Sequence, residues 1–133
     1  MTKTAFIGLG VMGYPMAGHL AKEGHDVTIY NGTEAKADKW VNEFNGKKAL
    51  TPRDAAKDAD VICCCVGNDD DLRSVTYGEN GILANLRKNS IFIDHTTASA
   101  DVAREINKKS KKIEIHFLDA PVSGGQSGAE NGR

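Results

Sequence analysis

The sequence predicts an α/β fold with a doubly wound, mainly parallel sheet. Strand-like and helix-like segments alternate along the chain, a glycine-rich turn joins the first pair, and loops of small or polar residues follow several predicted strands. Alternation of this kind favours parallel strands connected by helices on both faces of the sheet. A length of 133 residues suits one domain with its own core.

The segment Thr4–Leu20 organises this prediction. Apolar residues lead into a G-x-G-x-x-G pattern at Gly8, Gly10 and Gly13, and apolar residues at helical spacing follow. Between a strand and a helix, this pattern is typical of a Rossmann-type dinucleotide site. We expect Gly8 to make the turn, Gly10 to let the backbone approach a pyrophosphate, and Gly13 to bring helix and strand close together. The start of the helix offers N–H groups and a positive dipole end to the phosphates.

The rest of the chain repeats the strand and helix signals. The expected strands are 4–8, 26–30, 48–50, 61–66, 90–94 and 113–119, and the expected helices are 12–22, 34–44, 51–58, one that begins at 69–71, and 98–109. Gly24 and Gly46 are expected to end the first two helices. Thr51 is expected to cap the third helix, with Pro52 at its first position.

Composition excludes several functional classes. The net charge of −1 implies no bulk attraction to nucleic acid or to a membrane surface. No apolar run approaches the roughly 20 residues that span a bilayer, so a cytoplasmic protein is expected. Consecutive cysteines at 63–65 point to alternate faces of a strand and form neither a disulfide framework nor a metal site. The acids at 69–71 complement a helix dipole, so no metal is expected.

The end of the second strand bears on the choice of cofactor. Asn31 lies 18 residues after Gly13, where an acidic residue would normally contact the ribose hydroxyls of NAD. A neutral Asn31, the hydroxyl of Thr33 and the ammonium of Lys36 would accept a ribose 2′-phosphate, which favours NADP over NAD. Thr33 is also suited to cap the next helix, and the two roles are compatible.

Other candidate residues follow later strands, where ligands of α/β sheets bind. Val66 and Asn68 follow the fourth strand. His95 follows the fifth strand, where it is either a general base or, with no identifiable partner, a packing residue. The last loop contains Ser123, Gly124 and Gly125, whose N–H groups form either an anion-binding nest or part of a flexible linker.

Three segments in order resemble the β-hydroxyacid dehydrogenases. Residues 6–17 resemble their amino-terminal glycine signature, 94–97 resembles their Asp-Met-Ser-Thr, and 119–125 matches their substrate loop, Asp-Ala-Pro-Val-Ser-Gly-Gly. The family includes 3-hydroxyisobutyrate dehydrogenase, tartronate semialdehyde reductase and the glyoxylate/succinic semialdehyde reductases. Its NADP-preferring members read Asn-Arg-Thr-x-x-Lys, and Gly32 replaces that arginine here, which removes the planar group best suited to a phosphate.

The resemblance implies a role for each matching residue. The cofactor would be contacted by Gly8, Leu9, Gly10, Val11, Met12, Gly13, Asn31, Thr33, Lys36, Val66, Asn68 and Thr97. Ser123, Gly124 and Gly125 would bind the carboxylate of a small-molecule substrate.

The family's catalytic lysine and all-helical domain have no counterpart before Arg133. Residues 1–133 are therefore expected to be the cofactor domain of a longer, homo-oligomeric oxidoreductase that interconverts a small β-hydroxy acid and its semialdehyde. The chain alone is expected to bind cofactor with little turnover. Alternatives are the cofactor domain of a 6-phosphogluconate dehydrogenase, an imine-reducing relative, and a non-catalytic NADP-binding scaffold or sensor.

Overall fold

A computed structural model describes residues 3–10, 12–96 and 99–120. Within these residues, six strands form one parallel sheet in the order β3-β2-β1-β4-β5-β6. The strands are β1 (Lys3–Ile7), β2 (Asp26–Tyr30), β3 (Lys47–Lys48), β4 (Val61–Cys64), β5 (Ile91–Asp94) and β6 (His116–Asp119). The helices are α1 (Gly13–Lys22), α2 (Glu34–Phe44), α3 (Pro52–Ala56), α4 (Asp69–Thr76) and α5 (Ala100–Lys112), with a 3₁₀ turn at Ile82–Ala84. The predicted α/β class with a doubly wound parallel sheet is confirmed.

Alternate residues of the central strands feed two hydrophobic layers. Phe6 and Cys63 pack with α1 and α2 on one face of the sheet. Ile7 and Cys64 pack with α3, α4 and α5 on the other face. Because neighbouring side chains on a strand point to opposite faces, both layers draw on the same short strands. The cysteines are free thiols, as expected of residues in a buried strand.

Several predicted boundaries were wrong, among them the end of β4, which lies at Cys64 and not at 66. Strand β3 covers 47–48 and not 48–50, and Leu50 is 72% exposed. Asn45, with φ of 56°, makes the left-handed end of α2 in place of Gly46. A Cβ on Gly46 would lie 2.2 Å from the Trp40 ring, so this glycine serves close packing. Strand β6 begins at 116 and not 113, because α5 continues to Lys112 and a turn follows it.

The order of the strands places the candidate residues. Strand β1 pairs with both β2 and β4, so the loops that follow these three strands meet at one edge of the sheet. This is the carboxyl edge beside the point where strand order reverses, the usual ligand position in such sheets. No helix among the described residues is long and apolar enough to cross a membrane.

Candidate functional site

A cleft of about 530 Å³ lies at the carboxyl ends of β1, β2 and β4. The predicted residues that line it are Gly8, Leu9, Gly10, Met12, Gly13, Asn31, Thr33 and Val66. Most of the candidate cofactor residues are therefore brought together around a single cavity. Its volume falls in the range of small-molecule and cofactor sites.

The three glycines of the loop differ in the space around them. Gly8 has φ of 99°, and a Cβ there would lie 2.2 Å from the Cys65 carbonyl oxygen. A Cβ on Gly13 would lie 2.1 Å from the Gly8 carbonyl oxygen, so the absence of a side chain lets α1 approach the turn. Among the described residues, a Cβ on Gly10 meets nothing within 4 Å, and this glycine faces open space at the cleft. The loop thus closes tightly at its ends and leaves room for a ligand at its centre.

The amino terminus of α1 suits an anion better than the other helix starts do. Helix α1 has no side-chain cap and no acidic residue in its first turn. The other α-helices in the described part of the chain all carry an acid there: Glu34 in α2, Asp54 in α3, Asp69, Asp70 and Asp71 in α4, and Asp101 in α5. The positive dipole end of α1 is therefore not offset by a carboxylate in its own first turn.

Two amides of the glycine loop are already bonded within the protein. The Gly8 N–H donates to the Tyr30 carbonyl oxygen at 2.9 Å, and the Leu9 N–H donates to Asn31 Oδ1 at 3.0 Å. The Leu9 side chain is fully buried. These two residues shape the loop, so donors for a phosphate must come from its later part and from the start of α1.

Asn31 joins the glycine loop to the end of β2. Besides accepting from Leu9, it donates through Nδ2 to the Thr33 carbonyl oxygen at 3.1 Å. Its amide thus has a structural partner at both ends, which sequence reasoning missed because Leu9 is distant along the chain. Thr33 is at the N-cap position of α2 as expected, but its hydroxyl makes no capping hydrogen bond.

Lys36 lies outside this cleft, in a neighbouring groove between α1 and α2. The groove has a volume of about 380 Å³, and its charged or titratable lining also includes His19, Lys22, Lys39 and one acid, Glu43, so lysines outnumber acids there. Gly10 lines both cavities, so the basic groove joins the cleft at the glycine loop. Concentrating cations there makes the junction favourable for an anion.

Asn68 caps α4 and is not among the described residues that line the cleft. Its Oδ1 accepts a hydrogen bond from the Asp71 N–H at 2.8 Å and caps α4. Among the described residues, the cleft lining on this side comes instead from Asp71, Ser74 and Val75. Their i, i+3, i+4 spacing was a usable signal for one helix face. Sequence reasoning took the acids only as partners of the helix dipole.

His95 does not line the cleft as the structure describes it. His95 donates through Nδ1 to the Ala120 carbonyl oxygen at 2.9 Å, a contact that fits the packing interpretation.

No group of three or more potential metal ligands occurs in residues 3–10, 12–96 and 99–120. Burial raises the pKa of Cys63 and of Cys65 to about 11, which keeps both thiols protonated at neutral pH. Outside the described residues lie Val11, Thr97, Ser123, Gly124 and Gly125.

Comparisons with known proteins agree with this geometry. Residues 3–133 match the family described as the NAD binding domain of 6-phosphogluconate dehydrogenase. An uncharacterized oxidoreductase of Shewanella frigidimarina is 64% identical over 132 residues, which cover 99% of this chain and 45% of that protein.

Two solved structures are similar to this chain in fold. Mycobacterium tuberculosis 3-hydroxyisobutyrate dehydrogenase with L-serine has a TM-score of 0.89 at 32% identity, covering 98% of this chain and 44% of that one. Psf3 in complex with NADP+ and 2-OPP has a TM-score of 0.90 at 25% identity, covering 97% of this chain and 45% of that one. The chain therefore spans less than half the length of the proteins it matches.

Proposed function

We propose a function from the premise that this chain belongs to the family described as the NAD binding domain of 6-phosphogluconate dehydrogenase. The resemblance to the β-hydroxyacid dehydrogenases is confirmed, since a solved 3-hydroxyisobutyrate dehydrogenase shares the fold and 32% of the sequence. The chain is an NAD(P)-binding domain of an oxidoreductase of this type. Our proposal concerns how it holds the cofactor and what the whole enzyme does.

The observation that carries the proposal is the open centre of the glycine loop beside α1. Gly10 leaves room at the cleft, and the first turn of α1 carries neither a side-chain cap nor an acid. The pyrophosphate lies here, and the N–H groups from Gly10 to Gly13 donate to it. Gly8, Leu9 and Asn31 hold the loop in shape through their internal bonds.

The adenosine half of the dinucleotide lies toward β2, at Asn31 and Thr33. No acidic side chain precedes Glu34 in this loop, so a 2′-phosphate meets no direct repulsion from it. Gly32 replaces the arginine of the NADP-preferring members. The exposed Lys36 in the adjoining basic groove supplies a cation in its place. We therefore propose NADP(H) as the preferred cofactor.

The other half of the dinucleotide lies over the segment that follows β4, beside Val66, and toward Thr97. In the whole enzyme, the cofactor supplies hydride transfer between a small β-hydroxy acid and its semialdehyde. Ser123, Gly124 and Gly125 are proposed to hold the carboxylate of this substrate, and a lysine beyond this chain is proposed to move the proton. Oxidation of 6-phosphogluconate with release of carbon dioxide by the full-length protein would overturn this choice of substrate.

The sequence adds three further elements to the proposal. By itself, the chain binds cofactor with little turnover. The full-length enzyme is a homo-oligomer and is located in the cytoplasm. A chain that turned over substrate as fast as the full-length protein would contradict the first of these.

Titration with NADPH and NADH, followed by cofactor fluorescence, tests the cofactor assignment. We expect tighter binding of NADPH, and we expect Lys36→Ala to weaken NADPH by about fivefold while NADH changes little, since one exposed cation contributes about 1 kcal/mol to such a contact. Lys57→Ala is the matched control, because Lys57 is an exposed lysine at the end of α3, outside both cavities. Equal affinity for both cofactors would refute the NADP preference, and binding of neither would refute the proposed site.

A further inference from the structure

A chain of hydrogen bonds connects the end of β5 to the wall of the cleft. Thr96, which is 1% exposed, accepts a hydrogen bond from the Val66 N–H through its hydroxyl oxygen at 3.0 Å. The Thr96 N–H in turn donates to Asp94 Oδ1 at 3.0 Å. Val66 lines the cleft, whereas Asp94 is fully buried beneath it. Asp94 thus fixes the position of Thr96, and Thr96 fixes the position of Val66 in the cleft wall.

Backbone hydrogen bonds hold the two residues before Val66 from both sides. On the β1 side, the Cys65 N–H donates to the Ile7 carbonyl oxygen at 2.9 Å. On the β5 side, the His95 N–H donates to the Cys64 carbonyl oxygen at 2.7 Å. At Val66, where β4 has ended, the next bond on that side goes to the hydroxyl of Thr96. The last bond depends on a side chain and can be removed by substitution without changing the backbone.

Burial of the Asp94 carboxylate lowers the stability of the fold. Asp94 Oδ2 has no hydrogen-bond partner among the described residues, and Cys64 and Asp119 are its register neighbours on β4 and β6. An unpaired buried oxygen destabilises a fold, so its presence needs an explanation. The other carboxylate oxygen, Oδ1, supplies one. It accepts the hydrogen bond from the Thr96 N–H and so fixes the turn that carries Thr96.

We propose that Thr96 is a positioning residue that sets the Val66 wall for the nicotinamide half of the cofactor, with Asp94 holding Thr96 in place. The inference rests on the proposed cofactor site. The adenosine half lies over β2, on the far side of β1, and the other half lies over β4 and β5. Loss of the Thr96 hydroxyl therefore affects one half of the ligand and spares the other.

Two ligands separate this role from general stabilisation. NADPH reaches both halves of the cleft, whereas adenosine 2′,5′-bisphosphate carries only the adenosine half. We expect Thr96→Val to weaken NADPH by about tenfold, because the Val66 N–H then has no partner, and to change binding of the bisphosphate less than about twofold. Thr96→Ser keeps the hydroxyl and should restore NADPH binding.

Amide exchange gives a readout that needs no ligand. The Val66 N–H should exchange faster in Thr96→Val than in the wild-type chain and return toward wild-type protection in Thr96→Ser. Thr76→Val is the matched control, because Thr76 is also fully buried but its hydroxyl has no partner among the described residues. We expect that substitution to leave both affinities and Val66 exchange unchanged.

The outcomes are distinct. Equal weakening of both ligands by Thr96→Val, or unchanged Val66 exchange, would overturn the positioning role while leaving the cofactor site intact. Unchanged NADPH affinity in Thr96→Val would do the same. A wild-type chain that binds neither ligand would refute the proposed cofactor site. The role of Thr96 in placing the nicotinamide would then be refuted as well.

Discussion

Alanine at two glycines of the same loop should separate cofactor binding from folding. In Gly10→Ala the new Cβ meets no atom of the part of the chain that the structure describes within 4 Å, and it stands in open space at the cleft. In Gly13→Ala it would lie 2.1 Å from the Gly8 carbonyl oxygen and 3.2 Å from the Phe6 ring. The first methyl obstructs a ligand, whereas the second obstructs the protein itself.

The structure sets the expected magnitudes. Alanine at position 10 should change the free energy of unfolding by less than about 1 kcal/mol, with a gain possible from reduced freedom of the unfolded chain. The methyl would occupy the space proposed for the pyrophosphate, so NADPH affinity should fall by at least about tenfold, or about 1.4 kcal/mol. Alanine at position 13 improves helix propensity by about 1 kcal/mol. Because a backbone oxygen cannot move away alone, α1 must shift, and we expect a net loss of about 1–3 kcal/mol.

Urea denaturation and NADPH titration of the same preparations measure both quantities. We expect Gly10→Ala to unfold at the wild-type midpoint or above it and to bind weakly, and Gly13→Ala to lose both stability and affinity. Gly24→Ala, outside the cleft and with φ of 91° at the end of α1, is a control that should lose stability without losing affinity. Wild-type NADPH affinity in Gly10→Ala would refute the placement of the pyrophosphate at this loop.

Two further predictions concern buried polar bonds. Asn31→Ala leaves the Leu9 N–H without its acceptor and should lower the free energy of unfolding by about 1–3 kcal/mol, measured by urea denaturation, and should weaken both cofactors alike. Selective loss of NADPH would show instead that Asn31 contacts the 2′-phosphate. Burial raises the pKa of the Asp94 carboxyl, so the folded chain binds this proton more tightly than the unfolded chain does. As pH falls from the folded-state value toward about 4, the wild-type chain should therefore gain stability relative to Asp94→Asn, and a pH-independent difference would refute this.

The sequence alone determined the α/β class, the strand and helix alternation and the glycine turn between β1 and α1. These features depend on neighbours along the chain. The apolar period identifies a strand or a helix, and Gly8, Gly10 and Gly13 act within one strand-turn-helix unit whose geometry is local. The cap at Thr51, which accepts a hydrogen bond from the Asp54 N–H at 3.0 Å, was predictable for the same reason.

Only the tertiary structure decided which side chains shape the cleft and which face it. The Asn31 bond to Leu9 and the Thr96 bond to Val66 join residues 22 and 30 positions apart. Both depend on β1 lying between β2 and β4 and on β5 lying next to β4, which no local pattern specifies. Lys36 projects into a separate groove because α2 packs against α1. Periodicity assigns residues to an element, but the partners of that element come from packing the whole sheet.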